Sequence, residues 1–142
     1  MTGVVPRVLL VDDNRGFRDK LRLLLEGYGM DVVGEGANGR EAIELAAATD
    51  TDVVLMDLRM PEMDGLTATQ ILRSRSPLVP VIILSAYDDP ALQRKARDAD
   101  VYAYLVKGCS GALVRDVVAQ AWALKTGLEA RASAGAGSDG DR

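Results

Sequence analysis

The stretch Arg7-Val-Leu-Leu-Val-Asp12-Asp13 is a short apolar run that ends in two adjacent carboxylates. Two further runs have the same form: Asp52-Val-Val-Leu-Met-Asp57 ends in an aspartate, and Val101-Tyr-Ala-Tyr-Leu-Val-Lys107 ends in a lysine. Short apolar runs rich in β-branched residues are typical of parallel strands that are buried on both faces. The sequence therefore predicts at least three such strands, each with charge at its carboxyl end.

Strand-like and helix-like segments alternate five times along the chain, which indicates a parallel sheet covered by helices. The predicted strands cover residues 7–12, 31–36, 52–57, 80–85 and 101–106. The predicted helices cover 14–27, 39–48 and 65–74, then a short one from Pro90 and a fifth that begins after Ser110. Asn38 and Glu41 have the spacing of a reciprocal N-cap for the second helix. Gly27 and Gly29 are expected to end the first.

The composition is that of a globular domain with one core. Of the 142 residues, 48% are hydrophobic and 27% are charged, which is ordinary for a soluble protein. The net charge of −4 gives no electrostatic reason to expect this segment to bind nucleic acid or an anionic membrane. No apolar run approaches the roughly 20 residues of a transmembrane helix. The start lacks a secretory signal pattern, so we expect a cytoplasmic location.

Two residue types narrow the chemistry. Histidine is absent, which excludes a Ser-His-Asp or Cys-His nucleophile within this chain. Any phosphohistidine that takes part in its chemistry must belong to a partner. The single cysteine, Cys109, excludes an internal disulfide and suits a reducing compartment.

The chain divides by composition near residue 130. Residues 1–130 carry all the predicted strands and helices and are expected to form one domain. From Arg131 onward the sequence changes to Ala, Gly, Ser and Asp, which bury too little apolar surface to become ordered. We therefore expect residues 131–142 to be a flexible tail or a truncated linker.

The charged strand ends predict a divalent-cation site. In an open α/β sheet, ligands bind beyond the carboxyl ends of the strands. Asp12, Asp13 and Asp57 would repel one another if they crowd together there. A divalent cation relieves such repulsion, and ligands that are all oxygen favour Mg²⁺.

Four motifs, in order and at the ends of four predicted strands, resemble the receiver domain of bacterial response regulators. They are Val11-Asp12-Asp13, Met56-Asp-Leu-Arg-Met-Pro-Glu-Met-Asp-Gly65, Leu84-Ser85-Ala86 and Tyr104-Leu-Val-Lys107. The resemblance covers about residues 6 to 126 and implies a flavodoxin-like receiver fold of five parallel strands, in the order 2-1-3-4-5, with five helices. With no proline after the lysine, the pattern is closest to receivers of the NarL/FixJ type, whose second domain is a DNA-binding helix-turn-helix.

The resemblance implies a phosphoryl transfer from a sensor histidine kinase. Asp57 would be the phosphoacceptor, and its carboxylate would attack the phosphohistidine of the kinase. Asp13 and Asp57 would bind Mg²⁺ directly, Asp12 would act through a bound water, and the backbone carbonyl of Arg59 would be a further ligand. Apart from its own phosphorylation and dephosphorylation, the chain is not expected to be an enzyme.

The resemblance also implies a switch. Lys107 and Ser85 would each contact an oxygen of the phosphoryl group, and Tyr104 would turn inward as Ser85 moves. Tyr102 is a competing candidate for the aromatic of the switch, because it precedes Tyr104 by two residues on the same side of a strand. The responding surface would be the fourth helix, fifth strand and fifth helix.

Smaller features carry further expectations. Arg59 and Tyr87, two residues past Asp57 and Ser85, are expected to set how long a phosphoryl group survives. Gly65 is expected to supply backbone freedom before the third helix. The chain has Asp98-Ala99-Asp100 where most receivers read Gly-Ala-Asp, and the loss of that glycine would matter if the turn needed a positive φ.

Several outputs remain open. The switch would control transcription through an attached or partner domain, or a stand-alone receiver would act by protein–protein contact. Homodimers could form through the fourth helix, fifth strand and fifth helix, or through an apolar edge of the fifth helix that contains Leu113, Val117, Leu124 and Leu128. A Mg²⁺-dependent phosphatase with an aspartyl nucleophile is a rival, although such enzymes generally carry Asp-x-Asp after the first strand. A second rival, an interaction module that is never phosphorylated, predicts missing site residues, and none is missing.

Overall fold

The computed structural model of the chain describes residues 5–140, with side chains described as far as residue 134. The strands are β1 (Arg7–Val11), β2 (Asp31–Gly36), β3 (Val53–Met56), β4 (Val81–Ser85) and β5 (Ala103–Val106). The helices are α1 (Arg15–Gly27), α2 (Gly39–Ala48), α3 (Gly65–Arg75), α4 (Pro90–Asp98) and α5 (Gly111–Gly140). Each predicted element is present, and the predicted boundaries differ from these by a few residues at most, apart from the end of α5.

The five strands form one parallel sheet in the order β2-β1-β3-β4-β5. The predicted fold class is therefore confirmed. Because side chains alternate along a strand, β1 sends Val8 and Leu10 into one apolar core and Leu9 and Val11 into another. The first core is closed by α1 and α5, and the second by α2, α3 and α4. Helices on both faces leave the carboxyl edge of the sheet as the place where loops from several strands meet.

Helix ends follow the predicted capping pattern with one difference. The Asn38 side chain accepts the Glu41 N–H at 2.9 Å, as an N-cap does. The Glu41 carboxylate reaches back to the N–H of Ala37, at 2.7 Å, rather than to that of Asn38. The reciprocal cap is thus present but shifted by one residue. Gly29 ends α1 with a φ of +84°, as predicted for a glycine beyond a helix end.

The aspartate at residue 98, where most receivers have glycine, causes no backbone strain. Asp98 is the last residue of α4, so its backbone is helical and needs no glycine. The left-handed residue of this turn is Asp100, with a φ of +65°, and aspartate tolerates that geometry better than most residues. In the turn after β5, Gly108 has a φ of +100°, which explains why a glycine follows Lys107.

Helix α5 continues to Gly140, so it passes through residues that were expected to be a flexible tail. Residues 131–140 contain three alanines, which favour a helix, and three glycines, which oppose it, so composition alone does not account for this extension. The division of the chain at residue 130 stays a prediction. None of the helices in the described part combines the length and the apolar character of a membrane span.

Gly65 has a different role from the expected one. It is not among the residues with a positive φ; in that loop the left-handed residue is Glu62, at +66°. A Cβ atom on Gly65 would lie only 2.2 Å from the carbonyl oxygen of Asp57. The Gly65 N–H donates to the Leu58 carbonyl at 2.8 Å. Glycine is therefore required because the start of α3 packs directly on the backbone of Asp57.

Gly65→Ala is expected to lower the free energy of unfolding by about 1–3 kcal/mol, because α3 must move away from the Asp57 backbone to admit the methyl group. Gly127→Ala is the matched control: no atom lies within 4 Å of the added carbon, and helical alanine should raise stability by about 0.5–1 kcal/mol. Urea unfolding of both variants measures the difference. Equal stability of the two variants would contradict the close packing described here.

Candidate functional site

Three carboxylates meet at the carboxyl edge of the sheet. Asp12 and Asp13 follow β1, and Asp57 follows the neighbouring strand β3. One carboxylate oxygen from each residue lies within 4.8 Å of those of the other two. Asp12 and Asp57 are buried, whereas Asp13 is exposed. The parallel pairing of β1 with β3 thus brings together acids that are far apart in the sequence.

The Asp57 carboxylate is held from two sides. Its Oδ1 atom accepts the N–H of Leu58 at 2.8 Å, and its Oδ2 atom lies 3.5 Å from the ammonium of Lys107. Burial raises the pKa of Asp57, the negative charge of Asp12 raises it further, and the Lys107 charge and the Leu58 N–H lower it only in part. The net pKa is raised, so the anionic carboxylate is energetically unfavourable here and gains from any added positive charge.

Lys107 pairs more closely with Asp12 than with Asp57. Its Nζ atom lies 2.7 Å from Asp12 Oδ2 and 4.2 Å from the centre of the Phe17 ring, a cation–π distance. Burial lowers the pKa of Lys107, but the hydrogen bond to Asp12 and the charges of Asp57 and Asp12 outweigh it, and the net pKa is raised. The side chain is therefore an ammonium ion at neutral pH.

The geometry of the acids fits a small divalent cation. The oxygens around an octahedral Mg²⁺ bind at roughly 2.1 Å and are therefore about 3–4 Å apart. The three carboxylates, with oxygens within 4.8 Å of one another, need only a slight contraction to reach that spacing. The pKa of Asp57 is raised by desolvation and by repulsion from Asp12. A bound cation would offset both effects, and this is the electrostatic reason for the site to bind one.

Ser85 and Tyr104 lie on β4 and β5, the two strands that come after β3 in the sheet order. Ser85 is fully buried at the end of β4, and its hydroxyl accepts the Tyr87 N–H at 3.1 Å. The Tyr104 hydroxyl donates to the Tyr87 carbonyl at 2.6 Å. Residue 87 thus connects the serine to the tyrosine. Tyr102, in contrast, precedes β5 and is exposed at the amino edge of the sheet.

Arg59 and Tyr87 contact each other directly. The guanidinium of Arg59 lies 4.9 Å from the centre of the Tyr87 ring, and both side chains are exposed. The pair spans the loops that follow β3 and β4. The arginine side chain is therefore engaged with an aromatic ring, while a metal contact from its backbone carbonyl stays a prediction.

Sequence reasoning missed a group of residues behind the acids. Arg18, on α1, donates to the backbone carbonyl of Asp12 at 2.6 Å and contacts Glu35 of β2 at 3.3 Å. Phe17, next to it, lies against Lys107. The available signal was positional: α1 starts directly after the acids, and β2 is the neighbour of β1. The packing of α1 against the sheet decides which of its side chains reach the acids. The hydrophobic periodicity of the sequence does not specify that packing.

The sequence of this chain is similar to those of known proteins. Residues 8–119 match the family model of the response regulator receiver domain. Over 105 residues, the chain is 40% identical to the transcriptional regulatory protein PdtaR of Mycobacterium tuberculosis, a match that spans 74% of this chain and 51% of that protein. It is 42% identical over 104 residues to a protein-glutamate methylesterase/protein-glutamine glutaminase of Alkalilimnicola ehrlichii, covering 71% of this chain and 26% of the relative.

The fold of this chain is also similar to that of a solved structure. The signal receiver domain of the putative response regulator NarL from M. tuberculosis superposes with a TM-score of 0.78 at 34% identity, covering 82% of this chain and 96% of that one. The chain spans about half the length of PdtaR and about a quarter of the methylesterase. The match over most of its length, together with the sheet order and the acidic edge, makes this chain a member of the response-regulator receiver domain family.

Proposed function

We propose that this chain is the phosphoacceptor module of a two-component phosphorelay in the cytoplasm. A sensor histidine kinase would donate a phosphoryl group to Asp57, with Mg²⁺ bound by Asp12, Asp13, Asp57 and the Arg59 carbonyl. The observation that carries the proposal is the meeting of three carboxylates with one ammonium that lies 2.7 Å from Asp12 and 3.5 Å from Asp57. That arrangement can neutralise the charge of a transferred phosphoryl group.

The chemical step is a displacement at phosphorus. One Asp57 carboxylate oxygen attacks, an O–P bond forms, and the N–P bond of the kinase phosphohistidine breaks, with the electron pair leaving on the imidazole nitrogen. Mg²⁺, when bound, would supply positive charge to the oxygens of the phosphoryl group. Leu58 N–H holds the other Asp57 oxygen at 2.8 Å, which leaves Oδ2 on the Lys107 side as the attacking atom. Lys107 would then contact the incoming phosphoryl group.

The proposed readout passes through the contacts of Tyr87. Phosphorylation adds charge and acceptor oxygens beside Ser85, whose hydroxyl can donate its proton while it accepts the Tyr87 N–H. A movement of Ser85 would shift Tyr87 and with it the carbonyl that holds Tyr104. The two-state switch would thus couple Asp57 to the surface of α4, β5 and α5.

The proposed output of this switch is the control of transcription. PdtaR is named as a transcriptional regulatory protein, which favours control of transcription through an attached or partner domain. In the methylesterase relative, the region similar to this chain makes up only 26% of the protein. A stand-alone receiver acting by protein contact is the second candidate, and Leu113 and Leu124, exposed on α5, favour self-association as one form of it.

The direct test is phosphorylation by a small donor. The chain is incubated with acetyl phosphate, with and without Mg²⁺, and its intact mass is measured. The proposal predicts one added phosphoryl group that requires Mg²⁺. An unchanged mass at every Mg²⁺ concentration would contradict it. Multiple turnover of phosphoesters would instead favour the Mg²⁺-dependent phosphatase, and we propose that the chain has no such turnover.

The lifetime of the aspartyl phosphate is expected to be minutes or longer. The stacked Arg59 and Tyr87 side chains would cover the side from which water attacks in line. Tyr87→Ala and Arg59→Ala should each shorten the lifetime severalfold, and Tyr102→Ala, at the opposite edge, should not. The decay of the phosphorylated mass in Mg²⁺ measures this. Loss of the group within seconds in the unaltered chain would overturn the prediction.

A further inference from the structure

Arg18 connects β2 to the acids. Its Nη1 atom donates to the backbone carbonyl of Asp12 at 2.6 Å, and its Nε atom lies 3.3 Å from Glu35 Oε1. The side chain is mostly buried, with 16% of its surface exposed. Glu35 is near the end of β2, where it pairs with Leu10 of β1. The guanidinium therefore bridges a strand end and the peptide group that joins Asp12 to Asp13.

That peptide group determines where Asp13 lies. The other polar groups of Asp12 are already held: its N–H donates to the Gly36 carbonyl at 3.0 Å, and its Oδ1 accepts the Asn14 N–H at 2.8 Å. In the part of the chain that the structure describes, the exposed Asp13 carboxylate has no hydrogen bond or ion pair of its own. Its position is set by its backbone, and Arg18 holds the carbonyl that precedes it.

We propose that Arg18 is a positioning residue for the metal site, and that Glu35 holds Arg18 in place. The inference rests on the proposed function, because it concerns the same acids. Arg18 contacts the backbone carbonyl of Asp12 and not the three carboxylates of the metal site. It therefore acts on Asp13 through the backbone. Outer partners of this kind typically change metal affinity by about 10–100-fold when they are removed.

Arg22 provides a matched control on the same helix. It pairs with Glu35 Oε2 at 2.8 Å and with Asp19 at 3.1 Å. Its described hydrogen bonds go to these two carboxylates and not to Asp12. Arg22→Gln thus removes the same charge from the same ion-pair network, whereas Arg18→Gln also removes the bond to the Asp12 carbonyl.

The sign of the effect separates positioning from simple charge. Removal of a nearby positive charge should strengthen the binding of a cation by the acids, because it removes repulsion. Loss of a positioning contact should weaken binding. A weaker Mg²⁺ affinity in Arg18→Gln therefore cannot arise from the lost charge.

The experiment is calorimetric titration of the full chain with MgCl₂, together with thermal unfolding and the Mg²⁺ dependence of phosphorylation by acetyl phosphate. Arg18→Gln is expected to raise the Mg²⁺ Kd about tenfold or more, with a rate close to that of the unaltered chain once Mg²⁺ is saturating. Glu35→Gln should shift the Kd in the same direction by less. Arg22→Gln should leave the Kd unchanged or lower it.

Each result decides one claim. An unchanged Kd in Arg18→Gln, or an equal rise in Arg22→Gln, overturns the positioning role while the proposed function stands. If Arg18→Gln unfolds, Glu35→Gln carries the test, and an unchanged Kd in that variant overturns the role. If the unaltered chain neither binds Mg²⁺ nor accepts a phosphoryl group, the proposed function falls and this inference falls with it.

Discussion

Asp57→Asn is expected to abolish phosphorylation of the chain by acetyl phosphate. The side-chain amide of asparagine has no anionic oxygen to act as the nucleophile that the transfer requires. In the neighbouring buried carboxylate of Asp12, both oxygens have close partners: Oδ1 accepts the Asn14 N–H at 2.8 Å, and Oδ2 lies 2.7 Å from the Lys107 ammonium. Asp57 combines burial, the Leu58 N–H on one oxygen at 2.8 Å and the Lys107 ammonium 3.5 Å from the other. Intact mass after incubation with the donor and Mg²⁺ measures the loss.

Asp64→Asn is the control for this variant. Asp64 caps α3 by accepting the Thr67 N–H at 2.8 Å, and asparagine caps a helix about as well as aspartate. This variant also changes one aspartate of the same loop, and it should incorporate the phosphoryl group as the unaltered chain does. Full incorporation by Asp57→Asn would show that another residue is the acceptor.

Lys125→Met is expected to lower the free energy of unfolding by roughly 3–5 kcal/mol, the largest stability change predicted here. The buried Lys125 ammonium lies 2.9 Å from Asp52 Oδ1 and 3.0 Å from Glu129 Oε2. Asp52 is buried as well, and its other oxygen accepts the Arg7 N–H at 2.9 Å. Removal of the lysine leaves an uncompensated buried carboxylate, which is strongly destabilising. Urea unfolding measures the change.

The control for Lys125→Met is Arg115→Met on the same helix, where the exposed pair with Asp116 at 3.0 Å should contribute little. Equal destabilisation by the two variants would contradict the importance of burial.

The buried pair also makes stability sensitive to alkaline pH. Burial lowers the pKa of Lys125, but hydrogen bonds to Asp52 and Glu129 and the charges of both carboxylates outweigh it, so the net pKa is raised. A raised lysine pKa contributes stability that is fully present below the ordinary value near 10.4 and is lost as the pH rises through the folded value. The unaltered chain should therefore lose stability more steeply than Lys125→Met above about pH 10. Parallel pH profiles would contradict this.

The fold could be predicted because its signals are local and agree with one another. Apolar runs such as 53–56 and 81–84 are buried at every position, and helix starts at Asn38 and Pro90 carry their own capping chemistry. Parallel pairing then places Asp12, Asp57 and Lys107 at one edge without further information, because each follows a strand of the same sheet.

Other features depend on packing that a single sequence does not reveal. Lys125 and Asp52 are 73 residues apart, and nothing in the composition of α5 marks its one lysine as buried. The contact of Arg18 with the Asp12 carbonyl needs the rotation of α1 against the sheet. The sequence predicts a turn role for Gly65, whereas its actual constraint, the Asp57 carbonyl beside it, is a tertiary contact.

Asp57, and no other residue, is expected to receive the phosphoryl group in the presence of Mg²⁺. The most direct measurement is borohydride reduction of the phosphorylated chain followed by peptide mass spectrometry, since reduction converts an aspartyl phosphate to homoserine at the modified position. Homoserine is expected at residue 57 alone, and only when Mg²⁺ is present. Homoserine at residue 12 or 13, or a phosphoryl group retained on Ser85, would contradict it.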